Sequence, residues 1–160
     1  MLTSTTGDIT VNDGSVATDG VSSASGNILL QANAGNVVLN AGVSSTGTTS
    51  GTSVTGGNIS VVASGSVTQG VDGDVSTVGN ASVDVRANAI AMADGATADA
   101  QSGNIRYAAA TTLTLGALST NANVSLSAAT ITDSGSSETD ITANQLFIRT
   151  TGSAIRPSRL

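Results

Sequence analysis

Lysine, histidine, cysteine and tryptophan are absent from this chain of 160 residues, and Tyr107 and Phe147 are its only aromatic residues. Without histidine or cysteine there is no serine–histidine or cysteine–histidine pair and no thiolate metal site. Without lysine there is no serine–lysine pair, and without cysteine no disulfide scaffold. Charged residues make up only 10%, against about 25% in ordinary soluble domains. The net charge is -6, and the five arginines are scattered along the chain. That pattern argues against nucleic acid, which calls for clustered basic groups. No apolar run approaches the roughly 18 residues of a membrane helix, so no membrane insertion is expected. The opening MLTSTTGDIT has neither the basic head nor the apolar middle of a signal peptide. The expectation is that Met1 was added to an excised fragment of a longer protein, or that a segment elsewhere directs export.

What remains is 39% hydrophobic residues, carried almost wholly by Val, Ile, Leu and Ala. Large rings normally supply much of a core's buried area, so a core built without them must be narrow. A narrow core repeated along an axis satisfies that limit. Disorder is the alternative for so much Ser, Thr, Asn and Gly, but the β-branched residues are too evenly placed for it.

The repeat is a phrase of Gly, then Asn or Asp, then an alternating apolar strand. It occurs as Gly7-Asp8-Ile9-Thr10-Val11, Gly26-Asn27-Ile28-Leu29-Leu30, Gly57-Asn58-Ile59-Ser60-Val61 and Gly103-Asn104-Ile105-Arg106-Tyr107. Weaker copies are Ser82-Val83-Asp84-Val85, Asn123-Val124-Ser125-Leu126 and Asp140-Ile141-Thr142-Ala143. The leading apolar positions 9, 28, 59, 83, 105, 124 and 141 are 19, 31, 24, 22, 19 and 17 residues apart. A drifting period near 20 predicts a solenoid with corners of variable length.

Second apolar segments follow at Val37-Val38-Leu39, Val67, Ile90-Ala91-Met92, Leu113-Thr114-Leu115 and Ile131, and third ones at Val43, Val75, Ala96-Thr97-Ala98 and Leu118. Alternation such as Val83-Asp84-Val85 puts one side chain in and the next out. Gly, Asn, Asp and Ser between the segments suit tight corners. The prediction is an all-β, right-handed parallel β-solenoid of triangular cross-section, with about seven coils of roughly 17–31 residues. The long unit contains the polar run at 44–56, read as a loop extruded from one coil.

These phrases, with Ala32-Asn33-Ala34-Gly35-Asn36-Val37-Val38-Leu39 and Ala63-Ser64-Gly65-Ser66-Val67 after them, resemble the repeats of filamentous-haemagglutinin-type proteins. They are also similar to those of giant repetitive surface proteins of Gram-negative bacteria. The resemblance spans roughly residues 7 to 155 and rests on repeat style and composition. It implies a right-handed β-helix, an extracellular or cell-surface location, and roles in adhesion or biofilm structure. The 31-residue unit and the tail Ile155-Arg156-Pro157-Ser158-Arg159-Leu160 depart from a regular repeat, and the family's secretion-signal region is not seen.

Candidate special residues are few. Asp8, Asn27, Asn58, Asn104, Asn123 and Asp140 precede leading strands and are expected to stack as a ladder with amide–amide hydrogen bonds along the axis; a plain turn-forming role competes evenly. Aligning Val83 with Ile105 sets Asp84 beside Arg106 as an inter-coil ion pair, of a kind worth only about 0–1 kcal/mol. Asp72 and Asp74 flank Gly73 and form a weak calcium candidate, for which a solvated corner is the blander reading. Asp84 with Arg86 and Arg106 is too small a set for the paired carboxylates of a glycosidase. Thr112, Thr114, Thr130, Thr132 and Thr142 suggest a threonine-lined face but do not recur at one place in each coil. The expected role is therefore a non-catalytic structural shaft with no cofactor and no metal. Its expected partners are neighbouring coils or further copies stacked end to end. A glycan or receptor bound at the 44–56 loop is the alternative.

Overall fold

The computed structural model describes residues 1–14, 19–135 and 139–152; the Asp19 side chain, Glu138 and the tail Ile155–Leu160 lie outside the described residues. The first coil holds β1 (Leu2–Ser4), β2 (Ile9–Val11) and β3 (Asp19–Ser23). The second holds β4 (Ile28–Ala32), β5 (Val37–Leu39) and β6 (Gly42–Ser45), then a projecting hairpin of β7 (Thr48–Ser50) and β8 (Ser53–Thr55). The third holds β9 (Ile59–Ala63), β10 (Ser66–Gln69) and β11 (Val75–Thr77), and the fourth β12 (Val83–Ala87), β13 (Ala89–Met92) and β14 (Thr97–Asp99). The fifth holds β15 (Ile105–Ala109), β16 (Thr112–Leu115) and β17 (Ala117–Ser119). The sixth holds β18 (Asn123–Ala128), β19 (Thr130–Asp133) and β20 (Ile141–Thr142), and β21 (Gln145–Thr150) opens a seventh.

Equivalent strands pair in parallel, one coil to the next, and build three sheets. The first face is β1-β4-β9-β12-β15-β18-β21, the second β2-β5-β10-β13-β16-β19 and the third β3-β6-β11-β14-β17-β20. The molecule is thus a parallel β-solenoid of triangular cross-section, as the repeat predicts.

Alternation decides which side chains fill the triangle. In β4 and β9 the burial runs in, half, in, half, in, as period-two geometry requires. In register, Ile28, Ile59, Val83, Ile105 and Val124 form one inward column, and Leu30, Val61, Val85, Tyr107 and Leu126 form the next. Each such aliphatic side chain, fully buried, stabilises by roughly 1.5–3 kcal/mol. Corresponding columns run along the second face through Val37, Val67, Ile90, Leu113 and Ile131, and along the third through Val43, Val75, Ala98, Leu118 and Ile141. No face could be covered by one coil alone, so each coil depends on its neighbours.

The register corrects the alignment of two phrases. Ile9 pairs with Val37 on the second face, and Ile141 pairs with Leu118 on the third. Neither matches Ile28, whose neighbour on the first face is Ile59. The seventh strand of the first face begins at Gln145, where Leu146 takes the place of Val124. The physical reason is that all three corners make the same demand. Each needs a polar turn former before an inward apolar residue, so phrase similarity alone cannot tell one corner from another. The loop expected at 44–56 likewise starts later, because Ser44 and Ser45 belong to β6 and pair with Ser22 and Ser23.

Candidate functional site

Polar side chains come together at the corners between faces, on the outer surface of the first face and in the interior.

At the corner entering the first face, the glycine of the phrase answers to axial packing. A Cβ on Gly57 would overlap the carbonyl oxygen of Gly26, and one on Gly103 would overlap that of Ala81. Inward hydroxyls hold this glycine in place. Thr77 Oγ1 donates to the Gly57 carbonyl at 2.8 Å, and the Gly57 N–H donates to Ser45 Oγ at 2.7 Å. Thr120 Oγ1 donates to the Gly103 carbonyl in the same way. These hydroxyls are buried, yet each is satisfied, as buried polar groups must be. Their sequence signal is only a Ser or Thr at the end of a third segment, which is why they went unnoticed.

The asparagines of the phrase are linked mostly through backbone donors; an amide–amide bond between coils occurs instead at the corner after the second face, where Asn40 Nδ2 donates to Asn12 Oδ1 at 2.8 Å. The Asn58 N–H donates to Asn27 Oδ1 at 2.8 Å, and the Ser82 N–H donates to Asn58 Oδ1 at 2.8 Å. Ser82 Oγ donates to the same oxygen, and the Asn123 N–H donates to Asn104 Oδ1 at 3.2 Å. The acceptor side is the amide oxygen, but the donor is mostly backbone, because the parallel ladder brings the next coil's N–H over each corner. Asp8 belongs to a second run. It accepts from the Asn36 N–H at 2.7 Å and from Asn36 Nδ2 at 3.1 Å, and Asn36 Oδ1 accepts from the Ser66 N–H. Asp74 does the same at the third face, accepting from the Thr97 N–H at 2.8 Å. That carboxylate oxygen is therefore used in a corner bond, while Asp72 is exposed. Among the described residues no three acidic side chains converge as metal ligands would.

On the first face, Asp84 meets two arginines. Arg106 approaches through Nε at 2.8 Å and Nη2 at 3.3 Å, and Arg86 Nη2 lies 2.8 Å from Asp84 Oδ2. The pair expected from the register is thus one arm of a three-residue network, which sequence alignment of a single pair could not reveal. Further along, Arg106, Ser125, Ser127, Phe147 and Arg149 line a groove of about 700 Å³. Phe147 is 55% exposed.

Between the second and third faces, Asp94, Asp133 and Asp140 line a narrow cleft beside Gly116. Desolvation, then the charges of Asp133 and Asp94, raise the Asp140 carboxyl above its ordinary range. Asp140 precedes β20 on the third face, so it does not continue the asparagine run at the first, and its Oδ2 is buried without a hydrogen-bond partner.

Besides the inward hydroxyls, a polar pair lies in the interior. Tyr107 donates its hydroxyl to Gln69 Oε1 at 3.0 Å, and Gln69 Nε2 donates to the Thr97 carbonyl at 2.7 Å. Burial holds the Tyr107 phenol neutral, well above its ordinary range. A Tyr–Gln pair sealed in the axis is a packing device, since nothing reacting could reach it. On the outer second face Thr112 and Thr114 stand in register with Thr130 and Thr132, while Thr142 lies on the third face.

Comparison of the chain with family models, with curated proteins and with solved structures found no match.

Proposed function

We propose that the chain is a structural shaft module of a secreted or surface-displayed bacterial adhesin or fibre, acting without catalysis. The observation that supports this best is the continuity of the first face: seven strands pair in parallel in one unbroken register. Strands lie across the solenoid axis, so their hydrogen bonds run along it. Corner bonds from Asn27, Asn58 and Asn104 run the same way. Such a body resists bending along its length, which is what a shaft requires. Half-exposed inward residues at its two edges, Leu2 and Leu146, suit further coils or another copy stacked end to end.

A glycan- or receptor-binding module is the second reading. Its support is the projecting hairpin, where Val54 is exposed beside a groove of about 540 Å³ shared with Asn58 and Asn80.

Removing one whole coil separates the two. Deletion of residues 28–58 joins Asn27 to Ile59 and preserves the phrase while removing the hairpin. For a shaft module, the shortened protein keeps its β-rich circular dichroism and its display on intact cells, detected by antibody labelling, and adhesion is unchanged. Loss of adhesion with display intact would replace the shaft reading with the binding one. Labelling only after cells are permeabilised would remove both. Electron microscopy of the purified chain adds the end-to-end test: thin filaments support stacking, and short rods place the ends against other coils.

A further inference from the structure

Folding sorts the charges by side of the triangle. Every arginine among the described residues, Arg86, Arg106 and Arg149, projects from the first face. The opposite vertex, between the second and third faces, carries Asp13, Asp72, Asp74, Asp94, Asp133 and Asp140, while Asp8, Asp84 and Asp99 lie elsewhere. In sequence these charges are interspersed, so the separation is a product of the winding.

We propose that the acidic vertex of one copy docks into the arginine-lined groove of the first face of a second copy, associating solenoids side by side. The shapes fit, because a vertex is the convex part of a triangular rod and the groove beside Phe147 is concave. The floor is small, made of Ala108, Ser125 and Ser127, and leaves room for an incoming turn. The spacing fits as well. Arg106 on β15 and Arg149 on β21 are two strands apart, and Asp94 and Asp140 lie two coils apart along the same kind of ladder. Both intervals are about 9.5 Å along the axis, so rods lying antiparallel set Arg149 against Asp94 and Arg106 against Asp140. Arg86 and Arg106 already share Asp84, which leaves Arg149 as the main unspent cation of the groove. Because groove and vertex are different surfaces, the contact is heterologous and does not close, so it propagates into lateral sheets. This association is separate from end-to-end stacking, which uses strand edges rather than side-chain charge.

Sedimentation of the purified chain across salt concentrations tests it. At about 0.1 M salt the Debye length is about 10 Å; repulsion between bodies of net charge -6 is screened, while ion pairs in contact persist. Association is expected there and is expected to disappear near 1 M, where screening reaches about 3 Å. Arg149→Asp and Asp94→Arg, each at an exposed position, are each expected to weaken association by about tenfold or more. The double variant carrying both swaps is expected to regain it, and unchanged circular dichroism shows that all three fold. A chain that stays monomeric at 0.1 M overturns the proposal, as does association indifferent to salt and to both swaps. Retention of a monomeric chain on a sulfated polysaccharide, lost in Arg149→Asp, would also overturn it and assign the groove to a soluble polyanion.

Discussion

The corner entering the first face and the corner between the second and third faces are turns of one winding chain, yet they are governed differently. At the first, glycine meets the carbonyl of the preceding coil, hydroxyls of Ser45, Thr77 and Thr120 fix the glycine from inside, and amide oxygens cover the next coil's N–H groups. At the second, Gly73 and Gly116 also lie against carbonyls of the preceding coil, but the connection ranges from the single residue Gly116 to the long segment between β2 and β3, and acidic residues collect on it. Where polar groups are consumed by stacking, axial contact dictates the residue. Where the turn varies in length, axial contact fixes single residues such as Gly73 and Gly116, and exposed positions such as Asp72 and Asp94 carry charge.

The largest effect should come from breaking the close approach at the first corner. Gly103→Ala forces a Cβ onto the Ala81 carbonyl and is expected to destabilise by about 1–3 kcal/mol or more. Gly14→Ala, in the second kind of corner with nothing within 4 Å of its Cβ, should stay within about 0.5 kcal/mol of the parent. Chemical denaturation of the two variants makes the contrast, and equal losses would erase it.

Thr77→Val keeps the shape but removes the donor to the Gly57 carbonyl. A buried carbonyl left unpaired costs about 1–3 kcal/mol, so the thermal midpoint should fall clearly. An unchanged midpoint would mean that the inward hydroxyl does not hold the corner. Asn58→Ala exposes the Ser82 N–H to water rather than burying it, because Asn58 is itself exposed. Its expected cost is smaller, about 0.5–1.5 kcal/mol, and hydrogen exchange at Ser82 should quicken.

The smallest effect is at the acidic corner, and its sign is opposite. The folded state raises the Asp140 carboxyl above its unfolded value, so the fold binds a proton that the unfolded chain has released. Stability therefore rises as pH falls through that raised range and declines as pH climbs past it. Asp140→Asn removes the penalty and should stabilise slightly at neutral pH, within about 0.5 kcal/mol. It should also flatten the thermal midpoint against pH in the mildly acidic range. A steeper profile in the variant would contradict the assignment.

Much of the fold was readable beforehand because period-two alternation and turn formers report directly on strands and corners. Val37–Leu39, Ile90–Met92, Leu113–Leu115 and Leu118 all fall in strands of the expected second and third sets. Far less of the site was readable. Asp84, Arg86 and Arg106 could be brought to neighbouring coils from the sequence, but that one carboxylate bonds both arginines depends on side-chain reach. Gln69, a polar residue in an apolar segment, gave no hint that its partner Tyr107 lies 38 positions away.

By itself, then, the sequence determined that this is a narrow, aliphatic, all-β repeat, since local alternation and the lack of rings leave no other economical core. Only the tertiary structure decided which corner each phrase occupies, which groups the asparagines bond, and that, among the described residues, the arginines share the first face while six aspartates gather at the opposite vertex. Those outcomes depend on how many residues each turn takes, because turn length sets where the chain meets the coil before it. Local residue preference is nearly the same at all three corners and carries no such count.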